Sequence, residues 1–326
     1  MTLASISRRA LVAAAALALL GAGPAGAETY PSKPLRILVP FPPGGPSDTV
    51  TRLVGQRLSE TMAQPIVIDN RPGGGGQIAA SALLQAPADG YTLFVGDVGA
   101  LSINPSLYAK LTFDPLKDFQ GISTLMSASM VLVVPAASPI ASVKQLLAKA
   151  TAQKSVQFSS PGIGTGSHML SEMLRSQANA NFQHVPYKGT AAAVQGVMAE
   201  EVDFMFENVG AVAPLAKAGK VKAIAIADMQ RNKFLPEVPT MSEQGLPTVK
   251  MSPWWALVAR AGTPDAVVQR LHAEVSAALS HPAVVRRLNE LGFEPMLRSP
   301  EETQKLIRDE GALWGSVVKA AGIKVE

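Results

Sequence analysis

The sequence predicts an α/β fold in two lobes, a clamshell with a hinge of two crossing strands. Three observations carry this. From Leu35 onward, apolar runs of strand length alternate with helical patterns, the order that builds parallel sheets with crossover helices. A longer apolar run without helical period, "ISTLMSASMVLVVP" at Ile122–Pro135, interrupts the alternation, which then restarts. A second interruption, "WWALVARAG" from Trp254, leads into three closing helical segments. Two passages between two α/β units leave a crevice near the strand ends, where such sheets usually hold a ligand.

The first 27 residues stand apart. Arg8 and Arg9 precede an apolar stretch from about Ala10 to Leu20, and Ala25-Gly26-Ala27 offers small residues for cleavage before Glu28. The stretch is shorter than the roughly 20 residues of a bilayer span, so it reads as a secretory leader cleaved after Ala27, which makes the mature chain an exported protein. Ser7-Arg8-Arg9 resembles a twin-arginine signal but continues Ala-Leu, and the route, Sec or twin-arginine, stays open. The formal charge of +4 drops to +2 when the two arginines leave with the leader, which contains no acidic residue. No basic cluster remains to suggest nucleic acid. The chain has no cysteine, which excludes disulfides, a lipid-anchor cysteine and thiolate metal sites. With 47% hydrophobic and 17% charged residues among 326, it has the core material for about two domains.

Lobe 1 begins at residue 28 and runs to 128. "LRILVP" is a strand, followed from about Asp48 by a helix with Val50, Leu53, Val54 and Leu58 on one face. "PIVID", the glycine run Gly73–Gly76, the helix "QIAASALLQA" and the strand "YTLFVG" complete a βαβαβ order. The glycine run reads as a flexible turn packed on this lobe. Lobe 2, residues 129–250, alternates helix "SVKQLLAKAT", strand "SVQFSS", helix "HMLSEMLRSQ", strand "FQHVPY" and helix "AAAVQGVMAE", then strands "VDFMFE" and "VKAIAIA". Residues 251–326 return to lobe 1, and Pro282 opens the second of the three closing helices.

Three turns are candidate sites. "PFPPGGPSDTVTR" ends the first strand with Gly44 and Gly45 and starts a helix at Ser47 or Asp48; "FSSPGIGTGSHML" places Ser160, Gly164, Thr165 and Ser167 between strand and helix; "YKGTAAAV" places Gly189 and Thr190 at a third helix start. Unpaired N–H groups and the positive dipole end make each turn suited to an anion. Two opposed lobes offering such ends would clamp a ligand bearing carboxylates. Each turn also reads as plain loop punctuation. Asp48 reads first as a helix cap, because its charge repels an anion; Ser47, Thr165, Ser167 and Thr190 read equally as caps, His168 as a surface residue and Lys188 as a solvated one.

Enzyme signatures fail on the same residues. Ser167 stands where a dinucleotide fingerprint needs its third glycine, no Gly-Lys-Ser/Thr follows either glycine loop, and G-x-S-x-G is absent. The four histidines lack metal spacing. No catalytic residue, metal or cofactor is expected.

"VPFPPGGPSDTVTR", "NRPGGGGQIAASALLQAPADGYTLFVG", "FSSPGIGTGSHML", "VPYKGTAAAVQGVMAEEVDFMFEN", "AGKVKAIAI", "LPEVPTMSEQG" and "WWALVARAGTP" together resemble the extracytoplasmic substrate-binding receptors of tripartite tricarboxylate transporters, the Bug receptors. The likeness runs in order from about Tyr30 to the C-terminus. It implies a periplasmic binding protein, type II-like, that closes on a small organic carboxylate and presents it to the membrane subunits of the transporter, with a monomer as the default of the class. Hinge closure around a ligand is the established motion of periplasmic binding proteins. The resemblance further implies that the carboxylate is held by backbone N–H groups, hydroxyls and water rather than arginine. It implicates Gly44, Gly45, Ser47, Asp48, Ser160, Gly164, Thr165, Ser167, Gly189 and Thr190. The run "RPGGGGQIAA" departs from the family, which commonly has an alanine among these glycines, and this touches only local loop shape. Glu207-Asn208 ends a lobe 2 strand where ligand choice is expected to be tuned, with Asn208 among the binding residues. Glu207 either repels a second anion, attracts a ligand amine, or is a solvated strand end. Phe41, Tyr187 and Trp254 either wall an aromatic acid or serve core and hinge packing. A sensor that engages a signalling partner, or an exported enzyme acting on a small acid, are the alternative functions.

Overall fold

The computed structural model describes residues 30–150 and 155–323; the leader and its cleavage point lie outside them. The apolar run after Lys33 forms β1 (Leu35–Val39), whose residues are buried except Arg36. It is followed by α1 (Pro46–Met62), β2 (Ile66–Asn70), α2 (Gln77–Gln85), β3 (Thr92–Asp97), the short α3 (Asn104–Leu107) and β4 (Phe119–Ala128). A second series comprises β5 (Met130–Pro135), α4 (Val143–Lys149), β6 (Val156–Ser160), α5 (Gly166–Ala178), β7 (Phe182–Pro186), α6 (Thr190–Met198), β8 (Met205–Asn208), α7 (Val209–Lys217) and β9 (Val221–Ile226). The chain closes with β10 (Trp254–Arg260), α8 (Asp265–Ser280), α9 (Pro282–Glu290), β11 (Phe293–Pro295) and α10 (Pro300–Ala321).

A six-stranded sheet has the order β11-β4-β10-β3-β1-β2. β1 lies parallel to β2 and β3, while β10 runs antiparallel to both β3 and β4. A smaller antiparallel sheet has the order β8-β5-β9, and β6 pairs in parallel with β7. Ser159 N–H donates to the Phe204 carbonyl (3.1 Å) and Asp203 N–H to the Gln157 carbonyl (2.9 Å), which joins the β6-β7 pair to the approach of β8. Phe94, Phe158, Phe204 and Phe206 sit fully buried in the main core. A second cluster around Val131, Val197 and Met205 packs against α6 and α7.

The Ile122–Pro135 run is not one crossing strand. It breaks at Ser129, because that residue is held from both sides: its Oγ donates to Asp228 Oδ2 (2.7 Å) and its carbonyl accepts from Val209 N–H (2.9 Å). Ala128 pairs with Phe293 in the large sheet and Met130 with Asn208 in the small one. The return passage likewise precedes Trp254. Met251 N–H still bonds the Ala227 carbonyl, whereas the Pro253 carbonyl already accepts from Ala128 N–H. α7 is a helix that the sequence pattern did not mark, since "VGAVAPLAK" carries one terminal lysine and no polar face.

The closing helices pack on the large sheet. Ser299 and Glu302 form a capping box at the start of α10, and Gly322 ends it in the left-handed region. Ser102 Oγ donates to the Ile307 carbonyl (3.0 Å), which ties α10 to the turn after β3.

Candidate ligand-binding site

The turns after β1, β6 and β7 open onto one cavity of about 600 Å³, together with the ends of β3 and β8. Of the predicted site residues, Gly44, Gly45, Ser47, Thr165, Ser167, Gly189, Thr190 and Asn208 line it. Asp48, Ser160 and Gly164 stand behind the lining.

Asp48 is not the cap of α1. Gly45 holds that position, and Asp48 sits in the first turn, where its Oδ2 accepts from Gly44 N–H (2.9 Å). Arg52 Nε and Nη2 donate to its two oxygens at 2.9 Å each, and Asn70 Nδ2 donates at 3.0 Å to Oδ1 and to the Phe41 carbonyl. Burial pushes the Asp48 carboxyl up, but the bonds from Arg52, Gly44 and Asn70 outweigh it and hold the group below the usual carboxylate range. The acid is therefore consumed in shaping the turn, and so is Gly44 N–H. Gly44 takes φ +87°, which a side chain would resist. What remains for a ligand are the N–H groups of Gly45 and Ser47, since Pro46 has none and Thr49 N–H already bonds the Gly45 carbonyl (2.9 Å). Ser47 Oγ accepts from Trp255 Nε1–H at 2.8 Å.

The second turn follows the same plan. Thr165 caps α5, accepting from His168 N–H and donating through Oγ1 to the Gly162 carbonyl (2.8 Å). Ser167 Oγ donates to the Phe206 carbonyl. Gly164 N–H goes to His168 Nδ1 (3.2 Å). Ser160 Oγ donates to the Gly162 carbonyl (3.0 Å) and lies 2.7 Å from His184 Nε2. These hydroxyls hold the loop, and the free donors facing the cavity are the N–H groups of Gly166 and Ser167. At α6, Gly189 N–H bonds the Pro161 carbonyl (3.0 Å), leaving those of Thr190 and Ala191. Three helix N-termini thus converge, and Lys188 is the one cationic side chain among the described lining residues.

His168 is buried rather than on the surface. Its ring stacks on His184 (4.1 Å between centroids) and Phe158 stacks on His184 in turn (4.8 Å). Burial pushes His168 down to about 3 and His184 to about 4, so both stay neutral.

Glu207 is no solvated strand end. It is 1% exposed, lines the cavity, and burial pushes its carboxyl up to about 7. Its Oε1 accepts from Asn208 N–H (2.8 Å) and Asn208 Nδ2 (2.7 Å). Thr190 stands near enough to ease the charged form, yet Oε2 has no partner at hydrogen-bonding geometry. Asp97, at the end of β3, is raised by burial to about 6 and accepts from Ala100 N–H at 3.0 Å.

Phe41 lines the cavity, but Trp254 and Tyr187 do not: Trp254 is buried in β10, and Tyr187 donates to Glu201 Oε2 (2.8 Å). Its neighbour Trp255 is the tryptophan of the site, packed edge-on to Phe293 (5.9 Å, 76°). Trp255 pairs with Asp97 across the sheet. Gln195, Gly210 and Leu291 also line the cavity unforeseen, and no local pattern marks them. The cavity is gripped at its flanks. A Cβ on Gly99 would come within 2.8 Å of the Gly164 carbonyl oxygen, and one on Gly210 would overlap that of Leu291.

A sequence model described as "Tripartite tricarboxylate transporter family receptor" matches residues 50–323. The chain belongs to this family. BugT of Bordetella pertussis is 34% identical over 307 residues, 94% of each chain. A structure described as a periplasmic transporter is 34% identical, with a TM-score of 0.85 over 91% of this chain and 100% of that one. MatC from Rhodopseudomonas palustris with bound malate is 32% identical, with a TM-score of 0.83 over 89% of this chain and all of the other. A second R. palustris protein, solved with adipate, is 32% identical, with a TM-score of 0.85 over 91% of this chain and all of the other. The receptor therefore has the α/β periplasmic binding protein fold and is a solute receptor, not an enzyme.

Proposed function

We propose that this receptor captures a small organic carboxylate in the cavity and delivers it to the membrane subunits of a tripartite tricarboxylate transporter. The observation that carries the reading is the convergence of free N–H groups at Gly45, Ser47, Gly166, Ser167, Thr190 and Ala191 on one cavity. Malate and adipate in two similar proteins support a carboxylate. We further propose that the lobes are residues 28–128 with 251–326, and 129–250, moving about Ser129 and the 251–253 passage, and that the leader is removed after Ala27. A thermal-shift screen of the protein from Glu28 against mono-, di- and tricarboxylates and aromatic acids tests the reading. Ligand at a hundred times its Kd adds about 2.7 kcal/mol of stability. A shift with a carboxylate class supports the reading. No shift with any, from protein that mass spectrometry shows to be ligand-free, overturns it.

A further inference from the structure

β8 ends in two buried acceptor atoms without a hydrogen bond of good geometry, Glu207 Oε2, which has only the nearby Thr190, and Asn208 Oδ1. Both residues line the cavity, at 1% and 7% exposure. Buried acceptors left without donors are costly, and natural structures keep few of them outside functional positions. The orientation of the Asn208 amide is set by its own bond: Nδ2 donates to Glu207 Oε1, and turning the amide over would set two oxygens against each other. Asn208 N–H also donates to Oε1, so one carboxyl oxygen closes the start of α7 while the other is left without a donor.

The ligand group that fits follows from counting protons. A second carboxylate brings only acceptors and leaves Asn208 Oδ1 unmet. A hydroxyl brings one proton for two acceptors. An ammonium brings three and a positive charge. The remaining ionisable groups of the lining agree. Asp97 is a further buried acid, and the cation Lys188 is exposed, where water screens it. The N-termini of α1, α5 and α6 favour an anion, so the cavity offers the two signs from different elements.

We propose that Glu207 and Asn208 form a subsite for a protonated amine, and that the ligand is an amino acid type of zwitterion. The inference rests on the carboxylate reading above. Titration calorimetry with matched acids, with and without the α-amine, tests it: alanine and propionate, aspartate and succinate, glutamate and glutarate, phenylalanine and 3-phenylpropionate. The amine-bearing member of at least one pair is expected to bind at least tenfold more tightly, and Glu207→Gln to bring that ratio within threefold. A second measurement needs no variant. An amine requires Glu207 in the charged form, and charge on Asp97 elsewhere in the lining favours it, so its affinity tightens as pH rises from 5 to 7, by up to about tenfold per unit for each proton released. A second carboxylate would show the opposite trend. Tighter binding of the amine-free acid in every pair that binds, or affinity that weakens with pH, overturns the subsite and leaves the carboxylate receptor standing. Binding by none of the eight also overturns it, and the wider screen then decides separately whether the receptor reading survives.

Discussion

Replacing Gly45 by proline isolates one donor of the cradle. Gly45 has φ −80° and ψ 176°, within reach of a proline ring, and a Cβ there would meet only the Pro42 carbonyl oxygen, at 3.8 Å. Gly44 before it has no side chain for the ring to strike. The change therefore removes the Gly45 N–H and fills the space that a ligand oxygen would take. A hydrogen bond to a charged group contributes about 1.5–3 kcal/mol, so Gly45→Pro is expected to raise Kd about 10- to 150-fold. Stability moves the other way: proline at a compatible position adds about 0.4–1 kcal/mol through the unfolded chain. Gly45→Ala keeps the N–H and is the control, expected to bind within threefold of the unaltered protein. Calorimetry with the ligand found by the screen reads affinity, and thermal melting without ligand reads the fold. Unchanged affinity in a folded Gly45→Pro protein would refute the cradle. Equal losses in both variants would show that shape, rather than the donor, matters at this position.

Gly210→Ala is expected to leave the unliganded melting point near that of the parent but weaken binding, because the added Cβ overlaps the Leu291 carbonyl and keeps α7 from its contact; small-angle scattering that compacts normally with ligand would count against this. Two histidines and two carboxyls pull stability without ligand in opposite senses between about pH 4.5 and 6. His168 and His184, lowered to about 3 and 4, lose stability as pH falls below 6.5, since the unfolded chain takes up their protons. Asp97 and Glu207, raised to about 6 and 7, act in the reverse sense, since in this window the folded state keeps protons that the unfolded chain releases. Glu207→Gln removes one opposing group and should make stability rise with pH more steeply than in the parent, by up to about 1.4 kcal/mol per unit; urea unfolding of both proteins at pH 5 and 6 checks it, and a variant no steeper than the parent would contradict the assignment.

The order of strands and helices was legible because strand-length apolar runs and glycine turns are local. So were the three helix starts that meet at the cavity. What each hydroxyl does was not. Ser167 and Thr165 spend theirs on the Phe206 and Gly162 carbonyls, and the Asp48 carboxylate accepts from Gly44 N–H and Arg52, bonds that depend on the folded turn. Trp254 and Trp255 could not be told apart from sequence, since adjacent strand residues face opposite sides and only the finished sheet says which side holds the cavity. His168 was expected on the surface because it opens a helix. Its burial comes from Phe158 and His184 on the two strands β6 and β7.

β10 lies between β3 and β4, which are both synthesised long before it. Until Trp254–Arg260 emerges, β3 is paired on its β1 side alone and β4 has no partner at all. Pairings across such sequence distances form slowly. Trp255 and Phe293 come with these last strands, so one wall of the binding site is completed only when most of the chain has been made.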